Sequence, residues 1–410
     1  MALGWFQHDI LASMQPYSIY IHIPYCRHRC GYCDFNTYAG QESLIPKYVQ
    51  AICREIEIVA RNGRERLPVH TIFFGGGTPT LLPADGISKI MQTIRSYFDV
   101  LPDVETTVEA NPGTVTLNFL KELRIYGVKR ISLGVQSSIP DELHLLERQH
   151  DFFDAIHAFF WARQAGFDNI NLDLIYGLPD QRVKNLYTTF ERVLHLGPDH
   201  LSHYSLTIQH DTPMRHWLEH GLINEPDQDS AAEMYEISSE VLSRAGFIQY
   251  EISNWAGKSS DGITKYCLHN LQYWRNQPYL GFGAGAHGYA NGMRIATILS
   301  PAAYIKRVSN IDPHQRLGFP RSPATVEISE IDRRTEMAET MMMGMRLTLE
   351  GVSEERFSER FGTRLDLVYG KEIKNLLDLG LVEWVGVSPR RLRITKNGRL
   401  LGNHVFREFL

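Results

Sequence analysis

Three cysteines, Cys26, Cys30 and Cys33, stand within eight residues in the stretch "IHIPYCRHRCGYCDFNTY" from Ile21 to Tyr38. The spacing C-x3-C-x2-C brings three thiols into one loop, directly after a hydrophobic run. Zinc sites usually pair distant C-x2-C knuckles and use four ligands. A 4Fe–4S cluster usually takes four thiolates. Three thiolates in one turn therefore point to an iron–sulfur cluster with one iron left open for a small molecule. A catalytic metal keeps an open position by the same logic. The chain holds five cysteines, an odd number with three clustered, which suits metal ligation in a reducing cytosol and not a disulfide framework. Cys53 falls on the apolar face of a helical pattern and reads as core. Cys267 reads as packing in an aromatic loop, with ligation as its alternative.

Such a loop needs a rigid support. Six β-branched and aromatic runs recur along the chain: "SIYIHI" (18–23), "TIFFGG" (71–76), "ETTVEAN" (105–111), "RISLGV" (130–135), "NINLDLIYG" (169–177) and "HLSHYSLT" (200–207). Helical patterns such as "LIPKYVQAICREIEIVA" and "YTTFERVLHL" lie between them. Strands alternating with helices predict an α/β fold with a parallel sheet. Strand ends rich in Gly, Pro and polar residues favour a partial (β/α)6 barrel over a flat doubly wound sheet. In such barrels chemistry gathers at the C-terminal strand ends. The cysteine loop, Gly75–Gly77, Glu109, Gln136 and Asp173 all fall there.

Residues 1–17 read as an N-terminal segment and 18–312 as the barrel with its closing region. The stretch "PHQRLGFPRSPATVEI" (313–328) reads as a linker. Residues 329–410 read as a winged-helix-like domain with a turn at Ser388-Pro389. Met341 to Met343 and Met345 are expected to pack one domain on the other, and His22 to be satisfied inside the barrel.

Composition excludes several classes. A net charge of −5 argues against nucleic acid as partner, and the helix "GKEIKNLLDLG" carries too few cations to read a major groove. No run approaches the ~18 apolar residues of a membrane span. The start "MALGWFQHDILASMQPYS" lacks the parts of a secretory signal, so a cytoplasmic location is expected.

The motifs together resemble the radical S-adenosylmethionine superfamily. C-x3-C-x2-C after the first strand is that superfamily's cluster motif, and "GGGTPT" (75–80) resembles its glycine motif. "VEANP", "LGVQS", "ERQH", "NLDLIYGLP", "QYEISN" and "HNLQYW" resemble successive blocks of one branch. That branch contains oxygen-independent coproporphyrinogen III dehydrogenase and the HemW haem chaperones. The resemblance covers nearly the whole chain. It implies a 4Fe–4S cluster on Cys26, Cys30 and Cys33, with S-adenosylmethionine on the open iron. Glu109 and Arg148 would then hold the cofactor's amino acid end, and Gln136 and Asp173 its ribose. Gly76, Gly77 and Thr78 would let its methionyl group approach the backbone, and Tyr20 would lie beside it near the cluster. The dehydrogenases carry a fourth cysteine two places after the third, where this sequence has Phe35. They also carry an N-terminal extension, whereas about seventeen residues precede the first strand here. Both features, with "HNLQYW" (269–274), side with the chaperones. The resemblance thus implies haem binding, with His269 as a ligand, and delivery to acceptor haemoproteins, including respiratory ones at the membrane. Oxidative decarboxylation of coproporphyrinogen III is the alternative, and whether any catalytic residue operates is left open.

Overall fold

The computed structural model describes residues 15–259, 262–312 and 315–410. The expected N-terminal segment falls mainly on residues 1–14, outside them. Six parallel strands carry the first half of the chain: β1 (Tyr17–Ile23), β2 (Pro68–Gly76), β3 (Asp99–Ala110), β4 (Arg130–Gln136), β5 (Ile170–Tyr176) and β6 (His200–Ser205). These are the six runs expected from sequence. Helices return the chain between them, among them α1 (Ile45–Asn62), α2 (Ala84–Tyr97), α3 (Leu117–Ile125), α4 (Pro140–Leu145), α5 (Phe152–Gln164) and α6 (Val183–Leu196). The strands are β-branched and buried on both faces, as a parallel sheet covered by helices requires.

The sheet then grows at both edges. Beyond α7 (Pro213–Glu219) and α8 (Gln228–Arg244), strands β7 (Ile248–Glu251) and β8 (Asn254–Ala256) extend the β6 side antiparallel. The chain next crosses to the opposite edge through helix α9 (Leu268–Trp274). There β9 (Tyr279–Phe282) pairs parallel with β1, followed by β10 (His287–Ala290), β11 (Met293–Thr297) and, after helix α10 (Pro301–Ser309), β12 (Thr325–Glu330). The result is a twelve-stranded sheet in the order β12-β11-β10-β9-β1-β2-β3-β4-β5-β6-β8-β7. The expected linker is shorter than read. Its last four residues, Thr325 to Ile328, are strand, paired with β11. The Pro- and Gly-rich text before them masks a short alternating edge strand.

The C-terminal module comprises α11 (Arg333–Gly344), β13 (Val352–Ser353), α12 (Glu354–Phe361), α13 (Leu365–Asp378), β14 (Val382–Val385), β15 (Arg391–Ile394), α14 (Lys396–Leu400) and α15 (Gly402–Arg407). Its strands form a small antiparallel sheet, and it has its own core around Phe357, Phe361, Ile373, Leu376 and Phe406. Met341 and Met345 belong to that core, where Ile252 of the barrel packs against it. The methionines thus build the module first and the interface second.

One buried carboxylate ties the barrel's late elements to α1. Glu55 accepts from Tyr304 Oη at 2.6 Å, Ser322 Oγ at 2.6 Å and the Gly283 amide at 2.9 Å. Burial pushes its carboxyl up to about 7 despite these three donors. The raised value means that the folded state holds the proton more tightly than the unfolded chain. Stability is therefore full below the ordinary glutamate range and falls as pH rises through about 7. Glu55→Ala leaves three buried donors unpaired and is expected to cost ~3 kcal/mol or more in urea unfolding. Glu55→Gln should flatten the decline of stability between about pH 5 and 8. An unchanged pH slope in Glu55→Gln would remove Glu55 as its source.

Candidate functional site

The cysteine loop leaves the C-terminal end of β1. Tyr25–Cys26 pairs with Tyr38–Ala39 in a two-residue parallel bridge that closes the loop at its base. Inside it, the Cys33 amide donates to the Cys30 carbonyl at 3.1 Å. Asn36 Nδ2 donates to the Ala284 and Leu299 carbonyls, each at 3.0 Å, and the Asn36 carbonyl meets His22 Nε2 at 3.0 Å. His22 is thus satisfied within the barrel, as its place in β1 suggests. From outside, α7 lies across the loop, with the Met214 amide on the Gly31 carbonyl at 2.9 Å. A Cβ at Gly31 would meet the Trp217 ring at 2.5 Å, so any larger residue would have to displace that ring.

Cys26, Cys30 and Cys33 are free thiols on the wall of a cavity of about 470 Å³. Burial pushes the Cys26 thiol up to about 11, opposed by the Thr78 hydroxyl, whose Oγ1 lies 3.6 Å from its sulfur. Among the described residues no three His, Cys, Asp or Glu side chains converge on a single metal ion. A cluster does not need that, because each thiolate meets a different iron.

The other strand ends complete the cavity. Gly76 turns through φ +113° at the end of β2, and its amide donates to Glu109 Oε2 at 3.1 Å. A Cβ at Gly77 would lie 3.0 Å from Cys26 Sγ. Glu109 is partly exposed on the cavity wall, and desolvation, with the neighbouring Asp173, pushes its carboxyl up to about 8. Asp173 accepts from Ser132 Oγ at 2.9 Å and Asn171 Nδ2 at 2.8 Å, and burial raises its carboxyl too. Gln136 ends β4 at φ +67° and lines the same cavity. Arg148 reaches in from beyond α4. Its Nη2 donates to the Gly134 carbonyl at 2.8 Å and to the Asn111 amide oxygen, and its Nη1 faces Cys30 Sγ at 3.7 Å. Its Nε is buried without a partner among the described residues. A carboxyl with a raised pKa, a guanidinium with an unpaired donor and a Cβ-free floor fit a zwitterionic amino acid group beside the thiols.

The cavity wall therefore unites Cys26, Cys30, Cys33, Gly76, Gly77, Thr78, Glu109, Gln136, Arg148 and Asp173. Tyr20 is not part of it. It lies one layer deeper in the barrel, with its hydroxyl 3.0 Å from His22 Nδ1 and its ring 6.3 Å from Phe73. Sequence reading missed Tyr32, Asn111 and Ser132, which line the cavity. Tyr32 lies inside the cysteine spacing itself, where its position was the available signal.

His269 sits at the other end of the barrel. Helix α9 plugs the N-terminal ends of the strands, where Glu105 of β3 accepts from the Leu268 and His269 amides, each at 3.1 Å. The His269 ring meets Thr71 Oγ1 at 2.8 Å through Nδ1 and Tyr273 Oη at 3.2 Å through Nε2, and it stacks on Phe73. The side chain is 1% exposed, and burial lowers its pKa to about 3. In this conformation both ring nitrogens are engaged within the barrel.

The family model of the radical SAM superfamily matches residues 20–193, and that of the HemN C-terminal domain matches residues 331–401. The chain is 38% identical to the heme chaperone HemW of Bacillus subtilis over 96% of this chain and 99% of that one. It is 33% identical to the heme chaperone HemW of Mycobacterium tuberculosis over 97% of this chain and 95% of that one. Coproporphyrinogen III oxidase (HemN) from Escherichia coli, a radical SAM enzyme, has the same fold, with a TM-score of 0.79 at 22% identity across all of this chain and 93% of that one. The chain belongs to the radical SAM superfamily and, within it, to the HemW family.

Proposed function

We propose that this protein is a haem chaperone that binds a 4Fe–4S cluster, S-adenosylmethionine and haem, and delivers haem to acceptor haemoproteins. The observation that carries the reading is similarity to proteins named heme chaperone HemW along 96% of the chain. Phe35 adds to it, because it stands 62% exposed at the cavity rim, where the dehydrogenases carry a further cysteine. In this reading the protein works in the cytoplasm and supplies acceptors that include respiratory haemoproteins at the membrane. No helix among the described residues is long and apolar enough to cross a membrane.

Cys26, Cys30 and Cys33 would hold the cluster, and cluster and cofactor together supply one-electron chemistry when bound. Thr78 donates toward Cys26, and Arg148 places its guanidinium beside Cys30. Glu109 would pair the cofactor's ammonium and Arg148 its carboxylate. Gln136 and Asp173 would take the ribose hydroxyls, over the floor of Gly76, Gly77 and Thr78. Tyr20 would support Glu109 from below. Haem would meet His269 only after the ring leaves Thr71 and Tyr273, so α9 must loosen for His269 to reach iron.

Changing Cys26, Cys30 or Cys33 to Ala should abolish the 4Fe–4S chromophore after anaerobic reconstitution, whereas Cys53→Ala keeps it. A full cluster in Cys30→Ala would disprove the ligand set. Glu109, raised to about 8, favours its protonated form at pH 7 before the cofactor binds. An arriving ammonium favours its ionised form. Cofactor binding at pH 7 should therefore release about one proton, seen by calorimetry in buffers of different ionisation enthalpy. Glu109→Gln should abolish that release and weaken binding roughly tenfold or more. Proton release that persists in Glu109→Gln would place its source elsewhere. His269→Ala should lose or shift the haem spectrum while cluster and cofactor binding survive. Tyr273→Phe, which frees Nε2, should take up haem faster than the wild type. If cluster, cofactor and haem binding all decline together with melting temperature in His269→Ala, the residue only pins the plug.

A further inference from the structure

Helix α9 is fastened at both ends, and the two fastenings differ. Its start is built into the barrel, through Glu105 on the His269 amide and Thr71 on the His269 ring. Its end is held from outside, by side chains of the C-terminal module. Arg275 places Nε and Nη2 on Glu350 Oε2 at 3.0 and 2.6 Å. Arg360 of α12 donates to the Asn276 carbonyl at 2.8 Å and to the Arg275 carbonyl at 3.4 Å, while it pairs with Glu336 at 2.5 Å. Asn276 Nδ2 donates to Thr340 Oγ1 at 3.1 Å. Arg346 lies 5.3 Å over the Trp274 ring. Three consecutive residues, Trp274 to Asn276, thus take contacts from four parts of the module. Beside them lies a cavity of about 650 Å³, with Trp274 and Arg275 in its wall. The indole Nε1 of Trp274 is buried without a hydrogen-bond partner among the described residues. The closed junction therefore leaves room for the end of α9 to move, and it keeps a donor unsatisfied that movement would bring to water.

We propose that the C-terminal module is a latch on α9: it holds the helix in the end of the barrel, and its release lets His269 turn out to haem iron. The proposal rests on the haem-binding reading of His269 and adds what controls that histidine. The chemistry suits a reversible hold. Arg275, Glu350, Arg360 and Glu336 are matched in charge and keep part of their side chains in solvent. Polar contacts between domains permit relative motion, whereas a large apolar seam would not. The helix also transmits the movement. It has seven residues and is about 10 Å long, so it shifts as one piece. Tyr273 stands next to Trp274 at the held end, and its hydroxyl lies 3.2 Å from His269 Nε2. Lifting that end withdraws Tyr273 first and frees the nitrogen that the ring would offer to iron.

Hydrogen exchange of the full-length, cluster-loaded protein, read by mass spectrometry, tests the hold without haem. Stopped-flow haem uptake tests its consequence. Arg275→Ala cuts the contact from the helix side, and Arg360→Ala cuts it from the module side. In each, the amides of residues 268–276 should exchange roughly threefold faster or more. Haem uptake should accelerate by the same factor, because both follow the open population. Arg275→Lys, which keeps the charge, should fall between Arg275→Ala and the wild type. S-adenosylmethionine binding and exchange in β1 to β6 should stay as they are. Unchanged exchange of α9 in both alanine variants would overturn the latch. A rise spread over β1 to β6 would make these contacts ordinary domain packing and would overturn it too. Faster exchange without faster uptake would overturn the gating and leave the haem-binding reading standing. A wild type that takes up no haem would remove that reading and the gating with it.

Discussion

One buried guanidinium, that of Arg130, balances the carboxylates lining the inside of the barrel. The residue is 2% exposed and lies within electrostatic reach of Glu105 below it and Asp173 above it. Burying an ionised carboxylate costs several kcal/mol unless a partner offsets it. Glu105 is buried, Glu109 and Asp173 are partly exposed on the cavity wall, and desolvation raises the pKa of each. Arg130 draws all three carboxyls down, yet desolvation outweighs it, most visibly at Glu109, which is raised to about 8. The interior is thus prepared for one more positive charge at its C-terminal end.

The same charge row connects the two ends of the barrel. At the bottom, Glu105 grips the start of α9 through the Leu268 and His269 amides. At the top, Glu109 and Asp173 face the cysteine loop. Arg130 stands between them, within reach of the charges of Glu105 and Asp173. The far end of α9 is fixed by Arg275 to Glu350 of the C-terminal module. The helix that carries "HNLQYW" is therefore held at one end by the barrel's charges and at the other by the module's. An element held in this way can report on both.

Much of this was legible in the sequence because the relevant constraints are local. Cys26, Cys30 and Cys33 declare their chemistry by spacing, and Gly76 and Gly77 by the close approach that a Cβ would block. The six parallel strands follow from their β-branched runs. What failed to read was depth. Strand alternation says that Tyr20 points inward, but inward residues stack in layers, and alternation does not say which layer. Tyr20 therefore fell beneath the cavity and not on its wall. The depth of His269 was hidden for a related reason. Its motif looks like a helix with a ligand, yet nothing local states that the helix crosses from β8 to β9 and plugs the opposite end of the barrel. Thr325 to Ile328 were hidden because an edge strand after a Pro-rich stretch has few residues in which to show its period.

The central claim is that this barrel carries haem and does not transform a porphyrinogen. The most direct measurement follows two reactions of the anaerobically reconstituted protein with S-adenosylmethionine and a reductant present. One sample is loaded with haem and mixed with an apo-haemoprotein, and the other is given coproporphyrinogen III. The account predicts that the acceptor's haem spectrum grows as the donor's fades, with no protoporphyrinogen IX formed in the second sample. Repeated turnover of coproporphyrinogen III to protoporphyrinogen IX, with no haem passed to the acceptor, would contradict it.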